Sequence, residues 1–205
     1  LKLSRGLGDV YKRQFHKRTY TIYRLRVREW ATYLTYKKPF VPPERLSMSS
    51  MVGQKAPDFS LQTSDGEEFK FSDLDGSWKV VFFYAKAGSP TCKRGCLNFK
   101  QQYDLFRSLE PSVEVIGISQ DSVQQHREFK QELELPFILL SDSDRKVADM
   151  FKVPVHLGAF PAKSSFVIGP DNTIHHVYDW LFRPRRHVAR ILDSLSKITD
   201  GGRSS

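Results

Sequence analysis

Two cysteines are all that this chain carries, and no apolar run exceeds the six residues from Val80 to Ala85. A single pair of thiols cannot make the disulfide framework that staples small secreted domains, and it falls short of a four-ligand zinc site. A membrane-crossing helix needs about 20 apolar residues, so no such span is expected. The length of 205 residues allows one domain with an appendage and scarcely two full domains. The fold must therefore rest on a hydrophobic core.

Acidic residues are scarce at the N-terminus. Residues 1–50 hold twelve Lys/Arg against Asp9, Glu29 and Glu44, whereas residues 51–205 hold twenty of each sign, so the net charge of +9 belongs to the tail. The basic balance is thus no sign that the folded part binds nucleic acid. The tail ends in Pro39, Pro42, Pro43, Ser47, Ser49 and Ser50, a linker-like passage. Its periodicity is undecided, because Tyr23, Leu25 and Val27 alternate as in a strand while Trp30, Tyr33 and Leu34 recur at helical spacing. An Arg-rich, acid-poor leader is what an organellar transit peptide looks like. That reading predicts a plastid or mitochondrion, and the cytoplasm otherwise. Gly8–Gln14 resembles translated adapter sequence, so a partly artefactual tail with its start at Met48 or Met51 is the competing expectation. A nucleic-acid arm built on Tyr20, Tyr23, Trp30, Tyr33 and Tyr36 ranks last, since such runs are more often solvated.

From Val52 onward, short apolar runs alternate with amphipathic stretches. Asp58–Leu61 and Glu68–Phe71 flank Ser64-Asp65-Gly66, which predicts a hairpin, because Asp-Gly adopts positive φ at low cost. Val80–Tyr84 lacks polar alternation and predicts a strand buried on both faces. A helix over Cys92–Leu109 follows, then a strand over Val113–Ser119. Asp121 with Gln124 predicts a capping box for a helix running to about Glu134, stopped by Pro136. Further strands are expected at Phe137–Leu140, Ser165–Ile168 and Ile174–Tyr178, with a helix at Asp144–Phe151. Val188, Ile191, Leu192 and Leu195 make the apolar stripe of a last helix whose first turn accepts Pro184. This alternation predicts an α/β fold: a central, mainly parallel sheet flanked by helices, with an N-terminal hairpin. The domain is expected over 51–200, with residues 1–50 as tail and 201–205 as a disordered C-terminus.

Sites in such sheets form beyond the carboxyl ends of strands, where helix N-termini converge. Cys92 falls there, so its sulfur should meet unpaired N–H groups and the positive end of the helix dipole, with Lys93 and Arg94 close by. Such settings lower a thiol pKa from about 8.5 to roughly 3.5–7.5, and a partly accessible thiolate is the natural seat of peroxide chemistry. A blander reading stands beside this one. Cys92, Cys96, Phe99, Tyr103 and Phe106 are spaced as one apolar helix face, and cysteine is often buried as a small hydrophobe. His175 and His176 point to opposite faces of their strand and cannot chelate one metal together. His126 and His156 read as surface or satisfied core histidines, and Arg183, Arg185 and Arg186 crowd the start of the last helix.

The stretch Phe83-Tyr84-Ala85-Lys86-Ala87-Gly88-Ser89-Pro90-Thr91-Cys92 resembles the active-site loop of the peroxiredoxins, most closely the peroxiredoxin Q (bacterioferritin-comigratory) group, whose pattern is Phe-Tyr-Pro-Lys-Asp-x-Thr-Pro-Gly-Cys. The likeness continues through Ala56–Leu61, Glu114–Ser119, Leu135–Phe137, Leu139–Asp142 and Ser165–Ile168, in order over roughly 52–198. It implies a thioredoxin-like fold and a thiol peroxidase. The substrates implied are hydrogen peroxide or small alkyl hydroperoxides, the reductant is thioredoxin, no metal or organic cofactor is required, and the state expected is a monomer.

By that resemblance Cys92 is the peroxidatic nucleophile and Ser89 stands for the family threonine whose hydroxyl assists it. Three departures from the pattern matter more. Ala85 replaces a loop proline, which should loosen the turn. Lys163 replaces an arginine, keeping the charge but losing the planar pair of donors. The resolving cysteine of the family lies five residues after the nucleophile, where this chain has Leu97, while Cys96 lies four residues on. Helical side chains four apart have Cβ atoms about 5–6 Å apart, and a disulfide needs about 3.5–4.5 Å, so Cys96 resolves Cys92 only if the first helical turn distorts. Gly95 makes that distortion easier. The alternative reading is a thioredoxin-fold binding or redox-sensing module with little peroxidase turnover.

Overall fold

The computed structural model describes residues 48–156, 160–161, 163–179 and 184–201. Most of the basic tail, Arg183 and residues 202–205 lie outside these.

Among the described residues, nine strands and five α-helices follow one another as β1 (Ser60–Thr63), β2 (Glu68–Lys70), β3 (Trp78–Phe83), α1 (Pro90–Gln101), α2 (Tyr103–Ser108), β4 (Val113–Ser119), α3 (Val123–Leu133), β5 (Ile138–Ser141), α4 (Lys146–Met150), β6 (Val155–His156), β7 (Phe160–Pro161), β8 (Ser164–Ile168), β9 (Ile174–Asp179) and α5 (Pro184–Gly201). Seven of the strands form one sheet in the order β2-β1-β5-β4-β3-β8-β9, and β6 pairs with β7 separately.

The expectation of a mainly parallel sheet narrows to its centre. β3, β4 and β5 run parallel, because helices carry the chain between them. The outer strands are antiparallel. β1 and β2 form the expected hairpin with Leu61 opposite Phe69, and β9 returns along β8 through a tight turn in which the Asn172 N–H donates to the Gly169 carbonyl at 2.9 Å. Short connections leave no room for a crossover, so they impose antiparallel neighbours, and the sheet is mixed.

The polar-free run at β3 has a physical reason. Every residue of Trp78–Phe83 is buried. Successive side chains alternate between two cores: Val80, Phe82 and Tyr84 join Cys92, Cys96, Phe99, Val115, Phe137 and Ile191 on one face, while Val81 and Phe83 join Phe59, Ile116, Phe151 and Phe166 on the other. Phe82 stacks on Phe99 with ring centroids 4.4 Å apart. Gly117 permits this contact, since a Cβ there would lie 2.7 Å from the Phe82 ring and 2.8 Å from Leu139.

Three local expectations shift. The helix after Cys92 breaks at Gln102, whose N–H bonds the Phe99 carbonyl at 3.2 Å, giving α1 and α2 where one helix was expected. The capping box of α3 sits one residue later than expected: Ser122 Oγ accepts from the Gln125 N–H at 3.3 Å and Gln125 Oε1 from the Ser122 N–H at 2.9 Å. Asp121 is engaged elsewhere. Packing on the sheet also begins before residue 51, in a 3₁₀ turn over Met48–Met51 whose Met51 is buried.

Candidate active site

The loop between β3 and α1 leaves the sheet after the Tyr84 N–H donates to the Ile118 carbonyl at 3.1 Å. It then turns over Lys86–Ser89, with the Ser89 N–H on the Lys86 carbonyl at 3.4 Å. Gly88 has φ +78°, the positive value that the third residue of a type II turn requires. Ser89 is extended and caps α1, its Oγ accepting from the Cys92 N–H at 3.3 Å, and Pro90 occupies the first helical position. Cys92 therefore lies in the first turn of α1, beyond the carboxyl end of β3.

β8 delivers the other expected residue. The register pairs Phe83 with Ser164, which sets Lys163 beside the mouth of the β3 to α1 loop. Lys163 is buried, and its ammonium donates to Thr91 Oγ1 at 2.5 Å. Thr91 stands where the peroxiredoxin Q pattern has glycine. The structure thus gathers Cys92, Ser89 and Lys163 at the start of α1, with Cys96 one turn further along it.

Both thiols are free and fully buried, at 0% exposure. The partly accessible Cys92 anticipated from sequence is corrected here. Cys92, Cys96, Phe99 and Phe106 share the apolar stripe that faces the sheet, so the sulfur is turned inward with the rest of that face. Burial pushes the Cys96 thiol far above its ordinary range, the neighbouring Cys92 adds to this, and the Lys163 charge partly offsets it. Burial likewise holds the Tyr84 phenol well above its usual value. The Ser89 oxygen accepts the Cys92 N–H, which leaves the hydroxyl proton to donate.

Sequence reasoning missed the polar residues under the loop. Asp121 Oδ2 accepts from the Ala87 N–H at 2.6 Å and from the Ser119 hydroxyl at 2.7 Å, and Ser119 Oγ meets His126 Nε2 at 2.7 Å. All three residues are buried. Burial pulls His126 down to about 4, against a smaller upward pull from Asp121. The available signal was an acidic residue two positions after the end of a buried strand, which the capping pattern absorbed instead.

Three further histidines stand apart from this cluster. His175 rests against Trp78, His176 stacks on Tyr178, and His187 is buried with Nε2 2.8 Å from Ser165 Oγ. Among the described residues, no three His, Cys, Asp or Glu side chains come together as a metal site.

Comparison with known proteins agrees with this geometry. Residues 52–177 match the AhpC/TSA family. A chloroplastic peroxiredoxin Q of Oryza sativa subsp. japonica is 34% identical over 147 residues, covering 71% of this chain and 67% of the rice protein. One from Sedum lineare is 31% identical over 167 residues, covering 80% of this chain and 89% of the relative. Among solved structures, the peroxidoxin BcpB of Mycobacterium tuberculosis superposes with a TM-score of 0.66 at 28% identity, covering 72% of this chain and 97% of that one. A thioredoxin-like mixed sheet, a cysteine in the first turn after its central strand and these relatives together establish that the chain belongs to the AhpC/TSA family, among the peroxiredoxins.

Proposed function

We propose that this protein reduces hydrogen peroxide and small alkyl hydroperoxides at Cys92. The Cys92 thiolate attacks one peroxide oxygen, an S–O bond forms as the O–O bond breaks, and the leaving alkoxide or hydroxide takes a proton. Cys96 then attacks the sulfenic sulfur, an S–S bond forms and water departs. Thioredoxin reduces that disulfide, so electrons travel through sulfur alone. Lys163 supplies positive charge beside the reacting end of the helix, and Ser89 fixes the turn that carries Cys92.

One observation carries this reading: Cys92 sits in the capped first turn of α1 at the carboxyl end of β3, where the helix dipole favours an anion. Its full burial adds a requirement, since the loop over 85–91 must move before peroxide reaches the sulfur. The same burial favours the second reading, a thioredoxin-fold binding or redox-sensing module with slow turnover. Protein mixed with peroxide, thioredoxin, its reductase and NADPH decides between them. NADPH consumption that vanishes in Cys92→Ser supports the peroxidase. Sulfenic acid formation without NADPH consumption supports the sensor.

The compartment and oligomeric state are also proposals: an organellar leader in residues 1–50, and a monomer. Import of a reporter carrying residues 1–50 tests the first, and the mass in solution tests the second. No helix among the described residues is long and apolar enough to cross a membrane.

A further inference from the structure

We infer that Asp121 is a positioning residue for Cys92, acting as a clamp on the loop that carries it. The connection runs through hydrogen bonds of stated length. Beyond Tyr84 the chain leaves the β3–β4 ladder, and three residues later the Asp121 carboxylate takes the place of a strand carbonyl by accepting the Ala87 N–H at 2.6 Å. Ala87 is the second residue of the Lys86–Ser89 turn, so its amide points away from the turn's own bond and is open to capture from outside. Ser89 closes that turn and caps the Cys92 N–H. Asp121, the turn, Ser89 and Cys92 thus form one mechanical series.

The clamp is itself held from three sides. The Ser119 hydroxyl donates its one proton to Asp121 Oδ2 at 2.7 Å, and its oxygen accepts the Asp121 N–H at 3.3 Å. With that proton spent, the 2.7 Å contact to His126 needs Nε2–H as donor, which fixes the histidine tautomer. His126 Nδ1 is then bare, buried and without a hydrogen-bond partner. The Ser141 hydroxyl on β5 donates to the Asp121 carbonyl at 2.7 Å. Serine, histidine and aspartate in this order make no acyl-transfer triad, because a serine that gives its proton to a carboxylate has none to pass to histidine. The cluster orients; it does not attack.

This chain has a reason to depend on such a clamp. Ala85 stands where the resembling loops have proline, so the backbone lacks a built-in stiffener at the start of the loop. A carboxylate hydrogen bond from the segment just after β4 supplies the restraint instead.

The inference rests on the peroxidase reading for its kinetic arm alone. In a Cys96→Ser background, where one thiol reports, Asp121→Ala is compared with the parent protein in three measurements. Hydrogen exchange at the Ala87 amide should accelerate about tenfold or more, as loss of a charge-assisted bond implies. Oxidation of Cys92 by hydrogen peroxide should slow by about the same factor, whereas alkylation by iodoacetamide should hold or rise, because a loosened loop exposes the sulfur while misplacing it for peroxide. Adding Ala85→Pro to Asp121→Ala should recover most of the peroxide rate. Unchanged exchange at Ala87, an unchanged peroxide rate, a parallel fall in both thiol reactions, or no recovery with Ala85→Pro overturns the clamp. If Asp121→Ala does not fold, Ser119→Ala, which keeps the carboxylate but frees it, is read by the same criteria. If the parent protein does not react with peroxide, the peroxidase reading fails, and the exchange measurement alone decides the clamp.

Discussion

The Lys163 ammonium donates to the Thr91 hydroxyl at 2.5 Å, one residue before Cys92. Two departures from the peroxiredoxin Q pattern, threonine for glycine and lysine for arginine, are thereby bonded to each other. A lysine offers a point charge with no planar fork, so it needs an acceptor to set its direction, and Thr91 provides one.

Thr91→Val keeps the shape and removes the acceptor. Hydrogen bonds to charged groups contribute about 1.5–3 kcal/mol, so peroxide oxidation of Cys92 should slow about tenfold, and Thr91→Ser should restore it. Stopped-flow oxidation of the three proteins checks this; equal rates in all three refute the role of the hydroxyl.

Cys96→Ser should leave the first oxidation of Cys92 intact and slow recycling by thioredoxin. Intact mass after one equivalent of peroxide should show a gain of one oxygen in the variant and a loss of two hydrogens in the parent. A disulfide-free product in the parent would make Cys96 a core residue only.

His126 sets a pH dependence. Its folded pKa is pulled from an ordinary 6.5 down to about 4, so the unfolded chain binds a proton that the fold refuses. Stability should be full above about pH 6.5 and fall by about 3 kcal/mol as pH drops to about 4, where the loss levels off. His187, pulled down to about 3 by burial, extends the same decline. Urea midpoints measured from pH 7 to 4 check the slope, and His126→Gln should flatten its share.

Gly117→Ala should destabilise the fold by about 1–3 kcal/mol, because the new Cβ would meet Phe82 and Leu139 inside van der Waals distance. Thermal unfolding tests this. A further Phe82→Leu change, which removes ring atoms from that spot, should recover part of the loss.

Much of the fold could be read locally. The polar-free run at Val80–Tyr84, the Asp65-Gly66 turn, the strand at Val113–Ser119 and the stripe at Val188, Ile191 and Leu195 all express period or turn chemistry within a few residues, and each marks a strand, hairpin or helix at that place. The position of Cys92 at a strand-to-helix handover was legible for the same reason. Its burial was also latent in the spacing of Cys92, Cys96 and Phe99, although chemistry argued for exposure.

Other relationships join residues far apart in the chain. Ala87 and Asp121 are 34 positions apart, and Thr91 and Lys163 are 72 apart. Nothing in the neighbourhood of either residue announces its partner. Local sequence determined which segments form strands and helices and where the cysteine sits among them. Strand order and register decided which side chains meet around it: β4 beside β3 brings Asp121 under the loop, and β8 on the other side brings Lys163 to the helix end. Hydrogen bonds across a sheet depend on that pairing, and the pairing exists only once the whole core has closed.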